Sequence, residues 1–507
     1  MSTLANSGAA HGAMTKSMRQ ARAPVHIYLI ISAIGFLLID SCSVGPKYHR
    51  PSVQTAPAYK ELDTSFWKQA APNDDTIRGK WWEMFNDRQL NALEEQVDSG
   101  NQNIAVAMAN YSAARALVRQ VRSQYYPTLT TNPAITNVRV SAIAIPGVTG
   151  KTFTSTEYQL PLTASWEPDL WTRVRKSVQA NTYAAQASAA DLENVRLLTH
   201  AELAVDYFQL RGVDKQKCIL DATVKSYEDY LVLVHSLYKS GLEADEAVAA
   251  AESQLKAAQA QDTNLGIART QYEHAVAVLV GQSPSAFALA ANREAPHPPA
   301  IPVGVPAELL ERRPDIASAE RAMAQTNAQI GIARTAFFPN VLLSATGGFE
   351  SLSITDWFTW PSRFWSIGPS AAETIFDAGL RKATVRQYQS LYNGTVANYR
   401  QTAFTAFQQV EDNLAALRIL SQDLEQQNEA VQSGQRYLSQ AQVRYKAGLD
   451  PFLNVLTAQV NLLVYQETYV TFQTQQMVTS VQLIEALGGG WDGSQLPTTK
   501  QVSAKIH

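Results

Sequence analysis

The thiol of Cys42 is the side chain whose surroundings point most directly to chemistry. The chain has 507 residues and two cysteines, Cys42 and Cys218. Cys42 follows an apolar run, Val25 to Ile39, and basic residues precede that run. A positively charged segment followed by a short apolar segment is typical of a secretory signal. The sequence therefore predicts a signal peptide over residues 1–41 and export of the rest.

The residues before the thiol, Ile39-Asp40-Ser41-Cys42, resemble a bacterial lipobox, in which the cysteine is acylated and becomes the first residue of the mature chain. Asp40 departs from that pattern, which has a small or apolar residue there. Two alternatives stay open: a plain secretory signal with an incidental cysteine, and a retained anchor, for which the run is short because a spanning helix needs roughly 20 apolar residues. If Cys42 is lipidated, the residue after it is Ser43 rather than the aspartate that usually marks retention in the inner membrane. The resemblance therefore favours the outer membrane.

No other set of residues predicts reaction chemistry. The eight histidines, including His200, His235 and His274, are scattered singly, and no H-E-x-x-H motif occurs. If Cys42 is an anchor, Cys218 has no partner for a disulfide or a zinc cluster. A net charge of -3 with 17% charged residues is too balanced for a nucleic-acid surface. We therefore expect no enzyme activity, no cofactor, no metal and no nucleic-acid partner.

The mature chain contains an internal repeat. The segment "LYKSGLEADEAVAAAESQLKAAQA" from Leu237 is similar to "RYKAGLDPFLNVLTAQVNLLVYQE" from Arg444, and the tyrosines Tyr238 and Tyr445 are 445 − 238 = 207 positions apart. Two copies of a unit of roughly 210 residues therefore fill most of the chain. The predicted segments are a lipid-anchored extended segment (42–87), a first repeat (88–291), a proline-rich linker (292–306), a second repeat (307–490) and a C-terminal tail (491–507).

Both repeats predict the same order of elements. In the first, a helix from Arg88 to Ser123 precedes a β-hairpin at about 128–166, and helical sequence then continues from about Arg173 to Tyr238. The second repeats the order, with a hairpin at about 340–376 and helical sequence from Leu380 to Tyr445. At 1.5 Å per residue each long helix would reach about 100 Å. A compact domain has no need of such a length.

The hairpins alternate between apolar and polar residues. In "YQLPLTASW", residues such as Leu160 and Trp166 share one face and Thr163 shares the other, and Trp365 lies on the apolar face of the last strand. One interpretation is a small sheet packed on helices, with Trp166 and Trp365 in the core. The alternative is an apolar face buried in lipid, where no sheet edge stays open and closed barrels have about eight strands or more. Four strands per chain would then require oligomerisation.

Seven segments in order along the chain support a resemblance to a known family. The segments are "CSVGPKYHRP", "WWEMFNDRQLNALEEQ", "WEPDLWTRVRKS", "YKSGL", "LLERRPDIASAERAMAQTNAQIGIARTAFFP", "IFDAGLRKA" and "YKAGL". With these segments, the sequence resembles the TolC-type outer-membrane efflux factors, in particular their lipoprotein branch of the OprM and NodT type. The resemblance implies a mainly α fold with a membrane β-barrel portion: a homotrimer whose chains each give four strands to a twelve-stranded barrel, continued by a long α-helical barrel.

The function that this resemblance implies is passive conduction. Members of the family are exit ducts of tripartite pumps for small molecules such as drugs or toxic metabolites. An RND-type transporter in the inner membrane supplies the energy, and a periplasmic adaptor joins it to the duct. Two alternatives remain: the same duct serving type I protein secretion, and a periplasmic coiled-coil scaffold without a pore.

The "YKSGL" and "YKAGL" segments predict two helix-ending turns. Gly241 and Gly448 stand where a helix ends on a residue that tolerates the left-handed conformation. By resemblance, these turns form the periplasmic end of the duct, where the adaptor docks and the tunnel narrows. The residues implied in docking are Tyr238, Gly241, Leu242, Tyr445, Gly448 and Leu449.

The same turns hold the candidates for the aperture. Relatives place aspartates six and nine positions beyond the glycine, but this chain has Ala247 and Ala250 in the first repeat and Asn454 and Thr457 in the second. Nearby acids could supply the charge at another height, or could be solvated residues favoured by the helix dipole. We hypothesise that hydrogen bonding and packing around Tyr445 and Asn454 gate the aperture, with a weak anionic ring. The nearby acids are Glu243, Asp245, Glu246 and Asp450.

Overall fold

The computed structural model describes residues 44–62, 79–141, 152–292, 298–299, 301, 303 and 306–504. The predicted signal peptide and Cys42 lie outside the described residues, as does most of the predicted linker. Of the linker residues that are described, Ile301 and Val303 are buried in the main core.

The described chain is mostly helical, with one small sheet. Each helix and strand is numbered in chain order. The elements are α1 (Arg88–Gly100), α2 (Gln102–Arg122), β1 (Thr128–Thr131), β2 (Ala134–Val140), β3 (Phe153–Trp166), α3 (Arg173–Lys239), α4 (Asp245–Leu279), α5 (Pro306–Arg312), α6 (Pro314–Thr335), β4 (Asn340–Ser351), β5 (Arg363–Ala372), α7 (Leu380–Lys446), α8 (Phe452–Ala486) and α9 (Thr499–Ser503).

The long helices follow the predicted repeat. Helices α3 and α7 have 67 residues each, and α4 and α8 have 35 residues each. Helices α3 and α7 each begin at the predicted residue and end one residue beyond the predicted limit. Each spans about 100 Å at 1.5 Å per residue. The two repeats therefore form two equivalent long hairpins of helices.

The prediction of a single helix from Arg88 to Ser123 is wrong, because the structure has two helices that meet at Asn101. Asn101 has an extended backbone, and its side-chain oxygen accepts hydrogen bonds from the backbone N–H groups of Asn103 and Ile104. Its side-chain amide donates to the carbonyl of Leu279 at 3.0 Å. This buried cap ends one helix, starts the next and ties both to the end of α4.

The long helices pack side by side in one layer, here called the helical wall. Near the sheet, α3 packs against α2 and α6, and towards the far end it packs against α4 and α8. Helix α7 packs against α6 and α8. Within the described residues, α2 and α4 therefore lie on one flank of this wall and α7 lies on the other. None of the described helices is both long and apolar enough to cross a membrane.

The strands form one antiparallel sheet that joins the two repeats. Strand β3 pairs with β1 and β2 on one side and with β4 on the other, and β4 also pairs with β5. The first half of the hairpin predicted at about 128–166 is divided into β1 and β2 at Asn132-Pro133, where proline has no N–H to give to the ladder. The described strands therefore occupy four positions in the sheet, as predicted.

The strand register confirms the two predicted faces of the sheet. Leu160 lies opposite Phe349, which puts apolar side chains together, and Thr163 lies opposite Thr346 on the other face. The hydroxyls of these two threonines are 3.2 Å apart. Trp365 is 78% exposed and Trp166 is 36% exposed, so the interpretation that places both in a core of this chain is wrong. No described helix of the chain covers this apolar face.

The main core lies about half-way along α3. There the short 3-10 helix Trp81–Phe85 packs between α1 and α3, with the rings of Phe85 and Phe208 5.0 Å apart. The hydroxyl of Tyr207 donates to Asp87 at 2.6 Å. The core is large because both repeats contribute to it, through the ends of α4 and α8 as well as α6 and α7.

Residues 44–62 run along α6 and α7 from the sheet end towards this core. Tyr48 donates a hydrogen bond to Glu320 on α6, and the backbone N–H groups of Lys60 and Glu61 donate to Glu411 on α7. At the start of the segment, a Cβ on Gly45 would lie 2.7 Å from the Cα of Gly331. The segment is therefore held against the helices along its described length.

The junction of α1 and α2 with α4 predicts the effect of two glycine substitutions. Gly281 has a φ of +75°, and a Cβ there would lie 2.1 Å from the carbonyl oxygen of Gly100. We expect Gly281→Ala to lower the free energy of unfolding by about 2 kcal/mol or more, because it combines left-handed strain with a backbone clash. Thermal melting of the purified protein measures this.

The matched control is Gly266→Ala. Gly266 lies inside α4, and a Cβ there would meet no described atom within 4 Å beyond its own stretch of helix. Alanine is the better helix former by about 1 kcal/mol, so this variant should melt at or slightly above the wild type. A Gly281→Ala protein that melts like the Gly266→Ala protein would contradict the proposed close approach.

Candidate functional site

The two turns at the far end of the helices have the same backbone structure. In the first tip turn, residues 240–244, the N–H of Leu242 donates to the carbonyl of Leu237 at 3.0 Å. In the second, residues 447–451, Leu449 donates to the carbonyl of Arg444 at 2.9 Å. This pattern is a Schellman motif, and it needs a left-handed residue just before the donor. Gly241 and Gly448 supply it, with φ values of 72° and 69°.

Each tip turn presents a leucine to solvent. Leu242 is 74% exposed and Leu449 is 67% exposed. Both directly follow the left-handed glycine of their turn. Tyr238 is 44% exposed beside the first turn. These large apolar side chains at the end of the molecule are suited to contact with another protein.

Tyr445 differs from its counterpart Tyr238, because it is 7% exposed. Its ring packs on Phe452, with centroids 5.6 Å apart, in a small cluster with Val234 and Val248. The hydroxyl has no hydrogen bond of good geometry to a described residue, although the carboxylate of Glu243 lies nearby. Burial, together with that carboxylate, raises the pKa of Tyr445. The residue therefore acts here mainly as a packing element between the two helix hairpins.

Asp450 is paired with a cation across the second tip turn. The guanidinium of Arg444 donates to both carboxylate oxygens, at 2.6 and 3.1 Å. This bond holds the pKa of Asp450 below its usual range, with a smaller contribution from Asn454. Asp450 therefore stays ionised at neutral pH, but the adjacent guanidinium compensates its charge. The sequence analysis missed this pairing, which depends on the turn bringing two residues six positions apart together.

The remaining aperture candidates lie around the same turns. Asp245 and Glu246 occupy the exposed first turn of α4, where the helix dipole favours acids. The hydroxyl of Thr457 donates to the carbonyl of Leu453 in its own helix at 2.8 Å. Ala247 is partly buried and packs against the cluster around Tyr445. The tips thus bring together the sequence-predicted residues, but Tyr230, which also packs on Phe452, was not among them.

The charges of the two tip turns nearly balance. Besides Arg444, the last turns of α3 and α7 carry Lys239 and Lys446. These three cations stand against the four acids Glu243, Asp245, Glu246 and Asp450. The electrostatic field at the tips is therefore weaker than the field that the four acids alone would produce.

A family model described as outer membrane efflux protein matches residues 93–282 and 305–489, which together cover both repeats. The chain belongs to the outer membrane efflux protein family. This family consists of efflux channel proteins rather than enzymes. The expected function class, an outer-membrane efflux component, is therefore confirmed.

Individual relatives agree in sequence and in fold. The solvent efflux pump outer membrane protein SrpC of Pseudomonas putida is 30% identical over 466 residues, 90% of this chain and 97% of its own. The outer-membrane channel OprN superposes with a TM-score of 0.82 at 30% identity, over 89% of this chain and 100% of its own. The MtrE channel of Neisseria gonorrhoeae, in its open state, superposes with a TM-score of 0.78 at 25% identity, over 89% and 99%. The fold of this efflux protein is that of outer-membrane channels.

The packing of Tyr445 generates a prediction for the tip. Tyr445→Ala should open a cavity costing about 3–5 kcal/mol, and Tyr445→Phe should cost little, because the hydroxyl has no good partner among the described residues. Hydrogen-exchange mass spectrometry of residues 440–456 should show faster exchange in the alanine variant alone. Tyr238→Ala, at the exposed counterpart, is the control. Equal acceleration by Tyr445→Phe would instead assign the role to the hydroxyl.

Proposed function

We propose that three copies of this efflux protein form the exit duct of a tripartite pump. The observation that carries the proposal is the sheet. It has four strand positions, one apolar face and one polar face. Its two edges, formed by β1 and β2 on one side and by β5 on the other, are unpaired within the described chain. Lipid does not tolerate unpaired backbone groups, so the edges must meet those of other copies. Three chains would give twelve strand positions, enough to close a barrel.

Exposed apolar residues on the two flanks of the helical wall support the same assembly. Val106 on α2 is 60% exposed and Ile267 on α4 is 61% exposed. On the opposite flank, Phe404 on α7 is 49% exposed and Val443 is 65% exposed. Residues of this kind are expected where the α2 and α4 flank of one copy packs against α7 of the next. The helices would then continue the barrel as a periplasmic tunnel.

The proposed cargo consists of small molecules. SrpC is named as a solvent efflux pump protein, and other similar proteins are named for toluene and for antibiotics. We infer that this duct also exports small toxic molecules, which an RND-type transporter of the inner membrane would select. The relatives favour this role over type I protein secretion. A scaffold without a pore would leave the apolar sheet face without a purpose.

A periplasmic adaptor is the proposed partner of the tips. Leu242 and Leu449 are the most exposed large apolar side chains there, and the two Schellman turns present them in the same way. In a trimer the two repeats would give six such turns arranged as a ring. An adaptor could therefore engage each repeat through the same contact, with Tyr238 distinguishing the first repeat from the second.

We further propose that Cys42 carries the lipid anchor. Gly45 lies against Gly331, which is four residues from the end of α6 next to the sheet. The described chain therefore begins at the end of the helices that adjoins the sheet. A lipid attached just before this point in the sequence would insert into the same membrane as the apolar sheet face.

The aperture is proposed to close by packing rather than by a strong ring of charge. The Arg444 to Asp450 pair compensates the acid nearest to the second turn, and Tyr445 is held in a small apolar cluster with Phe452. Asn454 lies beside Asp450, one turn into α8. Movement of the second helix hairpin at this cluster would widen the tunnel.

Conductance in planar bilayers tests the duct, with the mass of the detergent-solubilised oligomer measured in parallel. We expect a trimer that gives small, discrete, mildly cation-selective steps. Arg444→Gln should increase cation selectivity, because it leaves the carboxylate of Asp450 uncompensated. Arg436→Gln removes the same charge from the same helix about two turns away and serves as the control.

Two results would contradict these proposals separately. A non-conducting monomer or dimer would overturn the barrel assembly. The packing hypothesis for the aperture fails if neutralising Glu243, Asp245, Glu246 and Asp450 abolishes selectivity while Asn454→Ala leaves conductance unchanged.

Acylation is tested by growth with labelled palmitate. The wild-type chain should incorporate label, and Cys42→Ala should incorporate none and be partly lost from the outer-membrane fraction. Cys218→Ala should behave like the wild type, because Cys218 lies within α3, far from the predicted processing site. An unlabelled wild-type chain would contradict the lipid anchor and leave the plain secretory signal and the retained anchor as the interpretations.

A further inference from the structure

The two free edges of the sheet carry its most exposed apolar side chains. On β5, Trp365 is 78% exposed and Ile367 is 73% exposed. On the opposite edge, Leu129 of β1 is 65% exposed and Ile135 of β2 is 63% exposed. Among the described side chains of the inner strands β3 and β4, the highest value for a large apolar residue is 50%, at Leu162. The edges therefore offer the surface that a second copy of the chain would cover.

The internal repeat assigns an equivalent to each strand. Thr172 and Gly379, the left-handed residues before α3 and α7, are 379 − 172 = 207 positions apart. Pro127 and Pro339, which directly precede β1 and β4, are 339 − 127 = 212 positions apart. Strand β5 is therefore equivalent to β3 with an offset of 207, and β4 is equivalent to β1 and β2 with an offset of 212.

The hairpins confirm these offsets independently. In the first hairpin, Thr128 pairs with Ser165. The offsets of 212 and 207 convert these two residues into Asn340 and Ala372, which pair with each other in the second hairpin. Strand β2 continues the register of β1 along β3, so the equivalence holds beyond the break at Asn132-Pro133. The two hairpins therefore have the same register, with no residue inserted or lost between them.

Within one chain, the repeats join through β3 and β4. Trp166 pairs with Leu343 at one end of this ladder, and Tyr158 pairs with Ser351 at the other. The free edges are formed by the equivalents of these same two strands, β5 and the β1 and β2 pair. When two copies meet edge to edge, β5 of one copy therefore stands to β1 and β2 of the next as β3 stands to β4, in the same antiparallel sense.

We propose that β5 of one copy pairs with β1 and β2 of the next copy in the register of the ladder between β3 and β4. This inference rests on the proposed assembly of three copies and adds which residues of two copies meet. Applying the two offsets to that ladder gives the pairs, which run from Glu373 opposite Thr131, through Ser370 opposite Ala134, to Trp365 opposite Arg139.

This register preserves both faces of the sheet. Ile135 pairs with Tyr158 on the apolar face, and Arg139, four residues further along β2, lies on the same face as Ile135. Trp365 also lies on that face, so its indole would meet the guanidinium of Arg139, and a ring attracts a cation in this arrangement. A slip of one residue would instead turn the apolar side chains of one copy towards the polar face of the other.

A slip of two residues preserves the faces but gives poorer pairs. In one direction, Arg139 would face Arg363, and like charges directly opposite each other are destabilising. The same slip would set Pro133 against Pro369, and neither proline can donate a hydrogen bond to the ladder. In the other direction, Arg139 would face Ile367 in the middle of the apolar face. The register taken from the repeat avoids all three pairs.

Disulfide cross-linking of the full-length protein in detergent tests the register. The pair to join is Ser370→Cys with Ala134→Cys, in a Cys218→Ala background. Its equivalents within one chain, Thr163 and Thr346, bring their hydroxyls within 3.2 Å, so two cysteines here would be close enough for a disulfide. After mild oxidation, we expect covalent dimers and trimers on a non-reducing gel, which disappear on reduction.

Two matched pairs report the slipped registers. Ser370→Cys with Asn132→Cys and Ser370→Cys with Thr136→Cys use the same face, but the cysteines would be diagonal neighbours about 7–8 Å apart. Each should give at least about fivefold less covalent multimer, because a disulfide does not span that distance without backbone movement. Thr163→Cys with Thr346→Cys should consume thiols without forming a multimer, which verifies the oxidation.

The mass of each reduced variant separates this inference from the duct proposal. A trimer that cross-links best through a slipped pair would overturn the register and leave the duct intact. A trimer in which none of the three pairs gives more multimer than Ser370→Cys alone, which reports any link through Cys42, would overturn the pairing of these edges. A monomeric mass would overturn the duct proposal itself, and the register with it.

Discussion

The rest of the structure depends on the hydrogen bonding of the sheet edges. A membrane offers no water to the N–H and C=O groups of an edge strand, so a four-position sheet cannot stand alone there. The chain meets this constraint by joining the hairpins of both repeats through the pairing of β3 with β4, which leaves one free edge at each side of the described sheet. Closure by further copies then sets the diameter of the assembly. Since the strands lead into the helices, the same closure determines how the helices are spaced below the membrane.

The repeat explains why the helical wall ends at one level. Because α3 and α7 have the same length, as do α4 and α8, the two tip turns of a chain lie at the same distance from the sheet. Equal backbone turns nevertheless carry unequal side-chain environments. Tyr238 is exposed whereas Tyr445 is buried, and the acid paired to a cation, Asp450, belongs to the second repeat. The duplication therefore supplies the shape, and substitutions within each copy supply the difference between the two hairpins.

Local patterns were sufficient to predict the long helices, the glycine turns and the two faces of the sheet, because each depends on neighbouring residues. Contacts between distant residues were not predictable in this way. At the break at Asn101, Gly100 meets Gly281, about 180 positions later, and no periodicity in α1 or α2 reveals that contact. At the tips, the positions of the turn glycines were predictable from the sequence. The pairing of Arg444 with Asp450 depends on the folded turn, and the burial of Tyr445 depends on the neighbouring helices, so neither was predictable.

The distribution of the core indicates where the duct can move. The large cluster around Trp81 and Tyr207 joins both repeats and holds the middle of the wall, whereas the tip is held by a separate small cluster around Tyr445 and Phe452. Regions with few buried apolar contacts open at lower free energy than the core does. The strand ladder and the central core therefore resist expansion, and the tip is the part that can change at the least cost. The aperture that we propose at this end could therefore respond to the proposed adaptor while the barrel stays closed to lipid.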